Sequence, residues 1–197
     1  MEQKSVGASI LIVYLAVLFA IIGGCFSTFV YAYAKTEIKE IKLIASSNIS
    51  IFSDKELKVQ AKSLELSKQE LGLKPATGEL DSETEIPSTI TDEGTTEGYY
   101  ATVYIKSDIG VKIQLKDIDI KTKNSNNKAQ QERKNIFVAI KDVAGSTVSL
   151  EKDVIEIASF NEACANKKIV FLIWLGALAG DGLEGAKVSF NIEFLAV

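Results

Sequence analysis

Gly180, Gly182 and Gly185 spell G-x-G-x-x-G near the end of a chain of 197 residues. Glycines at that spacing let a backbone turn approach a pyrophosphate. They do so when they follow a strand, open a helix and precede by about 20 residues an acid for the ribose. Lys168 to Leu175, KIVFLIWL, reads as a buried strand and meets the first condition. The second fails, because Val188, Phe190, Ile192 and Phe194 alternate with Ser189, Asn191 and Glu193, the period of a half-buried strand. No room for the third remains before Val197. The glycines are therefore expected to form a hairpin loop between the last two strands, with backbone angles at φ > 0 and no bound nucleotide or other cofactor.

The remaining chemistry is thin. The chain has no histidine, which removes the commonest general base and metal ligand. Zinc peptidase sites of the H-E-x-x-H kind and histidine-dependent triads are excluded with it. Cys25 and Cys164 are too few for a zinc site or a disulfide framework, and Cys164 reads as a small buried hydrophobe. Carboxylates are plentiful, but no pair stands with a recognisable partner, so no enzyme, catalytic residue or metal site is expected. The net charge of −4 argues against nucleic acid as a partner.

The N-terminus points to a membrane. Ser5 to Ala34 carries no charge and exceeds the roughly 20 apolar residues that span a bilayer. One reading is a signal peptide cleaved after Ala32-Tyr33-Ala34, leaving Lys35 as the first mature residue. Another is a retained hydrophobic helix, through which residues 5–34 would hold the chain in the membrane. Ile22-Gly23-Gly24-Cys25 also resembles a lipobox. Lys35, Lys39 and Lys42 after the segment outnumber Lys4 before it, which favours a cytoplasmic C-terminus and conflicts with export.

Residues 35–197 read as one all-β domain. Alternating apolar runs fall at Ile49–Phe52, Leu57–Leu66, Tyr99–Ile105, Val111–Ile120, Ile136–Ile140, Val154–Ile157, Lys168–Leu175 and Lys187–Phe194. Short strands with turn signals between them predict an antiparallel β-sandwich, jelly-roll-like, after the N-terminal hydrophobic helix. Val111, Ile113 and Leu115 are out of phase with Ile118 and Ile120, which predicts a bulge near Lys116-Asp117. Val170, Leu172 and Trp174 lie on one face of their strand, and Ile169, Phe171 and Ile173 on the other. Such a strand is covered twice or touches another subunit, and Trp174 is expected to be buried. The stretch near 74–98 holds seven acids against one lysine and reads as a disordered acidic loop. KTKNSNNKAQQERKN reads as a polar hairpin connection.

Phe52-Ser53-Asp54-Lys55-Glu56 and Ala61-Lys62-Ser63-Leu64-Glu65-Leu66 resemble the opening of mature TasA/camelysin-type proteins, exported β-sandwiches of Gram-positive bacteria that include biofilm fibre subunits. Ile173-Trp174-Leu175, Asp181, Gly185 and Phe194 are similar to the C-terminal strand, acidic glycine loop and final strand of related exported proteins. The resemblance covers the ends of the domain and implies a secreted or surface protein that builds filaments. The peptidase activity ascribed to camelysin does not carry over to a chain without histidine.

The leading expectation is a surface or extracellular-matrix fibre subunit that self-associates by strand addition. The segment Lys35 to Ser50 has no evident use in a monomer. Ile38, Ile41 and Leu43 would lie in the next subunit as an added strand. A pilin-like subunit is the alternative, its leader helix running on through Thr36 to Ser46, with Ile38, Ile41 and Ala45 at helical spacing. A membrane-tethered binding or sensing module is the third reading, which micrographs of the exported material would separate from the first two.

Overall fold

A computed structural model describes residues 36–66, 98–122, 126–176, 179, 181–183 and 185–197. The expected membrane segment with Ala32, Ala34 and Lys35 lies outside these residues. So do Cys25, Gly180 and nearly all of the acidic loop. Among the described residues no helix is long and apolar enough to cross a membrane.

The described residues form two packed β-sheets, as the alternating runs predict. One sheet has four strands in the order β1 (Glu37–Ala45), β9 (Lys187–Ala196), β4 (Val111–Lys121), β7 (Val154–Phe160). The other has five, in the order β2 (Ile49–Phe52), β3 (Gly98–Ser107), β8 (Cys164–Leu175), β5 (Ile136–Ile140), β6 (Val148–Ser149). Every pairing is antiparallel except one: β1 runs parallel to β9. The expectation of a purely antiparallel sandwich is corrected at that edge.

Period-two patterning builds the core. Tyr99, Ala101, Val103 and Ile105 of β3 and Val188, Phe190, Ile192 and Phe194 of β9 all point inward and are buried. Phe171 and Phe194 meet edge to face across the two sheets, centroids 6.4 Å apart. The phase change in β4 is resolved as predicted. Its register against β9 slips between Lys116 and Asp119, Asp117 takes a left-handed φ of 53°, and Ile120 returns to the core. The Asn191 amide donates to the freed Asp117 carboxylate at 2.7 Å.

Three expectations are corrected. Leu57–Leu66 is not a strand. Leu57 has φ 56°, and the segment makes only isolated bridges, Phe52 to Gln60 and Lys42 to Ser63. The polar connection after β4 is not a hairpin but a crossing between sheets. It carries helix α1 (Asn126–Glu132) and a 3-10 turn (Arg133–Asn135), with Ala129 buried as the anchor. The glycine loop is not a hairpin either, because β8 and β9 belong to different sheets.

Candidate assembly site

The segment expected to be spare is an integral strand. Ile38, Ile41 and Leu43 of β1 are 5%, 1% and 9% exposed and belong to the main core of their own domain. The statement that a monomer has no use for them is therefore wrong. The helical extension of the pilin-like reading is also overturned, since Glu37–Ala45 is extended. The spacing of three between Ile38 and Ile41 arises from a bulge. Ile38 faces Val188 while Glu40 faces Ser189, so Lys39 is the extra residue, and both isoleucines reach the inner face.

Both ends of β1 are tied down. The Thr36 hydroxyl donates to the Leu183 carbonyl at 3.0 Å, and the Glu37 amide to Ala186 at 2.8 Å. At the far end the Ser46 amide donates to Phe194 at 2.9 Å, and the chain turns into β2 through an Ile49 amide bond to the Ser46 carbonyl. On the edge facing away from β9, the Leu43 amide donates to Lys62 and the Leu64 amide to Ile41, both at 2.9 Å. Among the described residues this cover stops at Leu64. Below it a groove of about 210 Å³ runs along Glu37–Ile41, walled by Leu64 and Leu66. Beneath the strand, burial pushes the Tyr99 hydroxyl above its ordinary pKa, and the Glu37 carboxylate adds to the effect.

The Phe52-Ser53-Asp54 motif is a turn built on its carboxylate. Asp54 accepts from the amides of Val59 at 2.6 Å and Lys58 at 3.0 Å, while the Ser53 amide donates to the Val59 carbonyl. The Val59 bond, more than any other contact, lowers the Asp54 pKa. This closed loop redirects the chain so that Ala61–Leu64 can lie along β2 and β1.

In the glycine loop Gly185 has φ 63°, as expected, but Gly182 does not take a positive φ, which corrects the expectation there. Gly182 does something the sequence did not show. A Cβ there would stand 2.6 Å from Glu132 Cγ and 3.0 Å from the Lys128 carbonyl oxygen, so the residue lets the loop press onto α1. Leu183 and Ala186 of the same loop are buried and supply the carbonyls that hold Thr36 and Glu37. The loop thus anchors β1, and its described residues form a single 3-10 turn, Asp181–Leu183, before the chain enters β9.

Trp174 is fully buried, as expected. It stacks on Phe137 at 5.7 Å on the outward side of the five-stranded sheet, in a second small cluster with Ala139, Val170 and Leu172. Cys164 is half-buried against the main core, and burial pushes its thiol up in pKa. Among the described residues no three metal-ligating side chains gather. No known protein family matches the sequence, and no curated protein matches it.

Proposed function

We propose that this is an exported surface or extracellular-matrix protein, a filament subunit that self-associates by exchanging β1 between copies. In this reading the domain is a jelly-roll-like sandwich preceded by an N-terminal hydrophobic helix. That helix is cleaved at Lys35 or holds the chain in the membrane through residues 5–34. The chain has no catalytic role, no cofactor and no nucleic-acid partner.

One observation supports the reading above the others: β1 is an edge strand in the sole parallel pair among the described residues, and its inner face is apolar at Ile38, Ile41 and Leu43. Parallel pairing is slightly weaker per residue than antiparallel. An edge strand reached through one short turn, Ser46 to Ile49, can leave its slot by opening that turn. The slot beside β9 would then take β1 of the next copy with the same register. Exchange of an identical element is a low-cost route to association, and a head-to-tail exchange that does not close propagates as a filament.

Locking the strand tests this. Lys42 and Asn191 are direct partners across the pair. Lys42→Cys with Asn191→Cys, in a Cys164→Ala background, should form a disulfide that keeps β1 in its own domain. The oxidised protein is expected to stay monomeric and the reduced protein to form fibres visible by electron microscopy. Fibres that form equally well when oxidised would refute strand exchange. A natural chain that forms none would refute the assembly reading itself.

A further inference from the structure

The outward faces of the two sheets are chemically unlike. On the four-stranded sheet the charges answer one another: Lys116 lies 3.4 Å from Glu193, Lys112 lies 3.9 Å from Glu156, and the Gln114 amide donates to Glu193 at 2.7 Å. That is a self-neutralised, solvated surface. On the five-stranded sheet, one half is the dry cluster around Trp174. The other half is neither dry nor neutralised. Phe52 of β2 faces Tyr104 of β3, and Tyr104 faces Lys168 of β8, a row crossing three strands. Both rings are half-exposed and Lys168 is exposed. Lys106, also exposed, stands next on the same face of β3. Among the described residues neither Lys106 nor Lys168 has an ion-pair partner, and Asp108 sits at the rim beside Lys106.

We infer that this half of the sheet face binds a sparsely anionic polysaccharide. The Phe52 and Tyr104 rings would carry the apolar faces of sugar rings, and Lys106 and Lys168 their carboxylate or phosphate groups. The row spans ~10 Å, from strands about 4.8 Å apart, which suits a short run of sugars. Half-exposed aromatic rings offer a rigid apolar plane with little entropy left to lose. Lysines act as point charges on flexible stems and accept anions at varied positions. The platform is held in place from its end, where the Asn166 amide donates to the Lys55 carbonyl at 2.8 Å and draws the turn after Phe52 onto β8. A single-stranded nucleic acid also stacks on rings, but it needs a positive groove along a phosphate at every residue. A chain of net charge −4 with two uncompensated lysines on this face suits a ligand of lower charge density.

The inference holds whether or not the protein forms fibres. Affinity electrophoresis of the full chain, kept in a non-glycosidic detergent, reads it directly. Hyaluronate in the gel, with a carboxylate only on alternate sugars, should retard the natural protein, and neutral dextran of similar length should not. Phe52→Ala with Tyr104→Ala, and separately Lys106→Gln with Lys168→Gln, should each weaken retardation about tenfold, a factor worth about 1.4 kcal/mol. Lys112→Gln with Lys116→Gln on the other sheet should leave it unchanged, and unfolding curves should show all three variants folded. The inference is overturned by any of four results: no retardation of the natural protein, equal retardation by dextran, equal retardation by polyglutamate or oligo-dT, or an equal loss in the Lys112/Lys116 variant.

Discussion

Ile41 of β1 stands directly opposite Phe190 of β9 in the parallel pair, and both side chains are almost completely buried. The first strand is thus part of the core. Ile41→Ala should cost about 2–5 kcal/mol, the range for large-to-small truncation in a packed core. Ile44, three residues on and exposed, should tolerate alanine within about 0.5 kcal/mol. Denaturant unfolding of the two variants compares them, and equal effects would place β1 outside the core.

Trp174 is the chain's one tryptophan and a clean reporter of its own site. Its fluorescence should be blue-shifted in the folded protein and shift red on unfolding. Trp174→Ala should cost about 3–5 kcal/mol. Trp174→Phe should cost much less, because among the described residues the indole N–H has no hydrogen-bond partner to lose, and burying an unpaired donor is itself unfavourable. A phenylalanine variant as unstable as the alanine variant would show that the N–H is bonded after all.

The two well-placed glycines of the last loop should respond differently to alanine. At Gly185 a Cβ meets nothing within 4 Å, so only the left-handed φ is penalised, at about 1–2 kcal/mol. At Gly182 the Cβ would press on the Lys128 carbonyl, which belongs to α1 and cannot swing aside. Gly182→Ala should therefore be the more destabilising of the two and should loosen α1, seen as faster amide exchange in residues 126–132. The reverse order would mean that the loop does not press on the helix.

Asp54 sets the pH response of its turn. Its carboxylate is stabilised chiefly by the Val59 amide, so its pKa lies below the ordinary Asp value of 3.8. For a group depressed in this way, the turn's stabilisation is fully present above the unfolded pKa and is lost as pH falls through the folded one. The Val59 and Lys58 amide chemical shifts should therefore titrate together below pH 3.8. In Asp54→Asn that step should vanish. A titration at or above the ordinary value would remove the carboxylate from the turn.

Much was legible in the sequence because local patterning decided it. The period-two runs of β3, β4 and β9 can bury their apolar side in one way only, and the phase break after Leu115 can be repaired only by an extra residue. Trp174 had to be buried because its strand is apolar on both faces. Other features depend on which strands meet in space, which one-dimensional periodicity does not encode. Ile38 and Ile41, three apart, carry a helical spacing, and only β9 beside them, with Lys39 bulged out, makes them neighbours on a strand face. The glycine loop reads as a hairpin until β8 and β9 separate into different sheets and Gly182 meets a helix distant in sequence. Phe52, Tyr104 and Lys168 are unremarkable in three separate runs. They become one row only because two antiparallel registers bring them side by side.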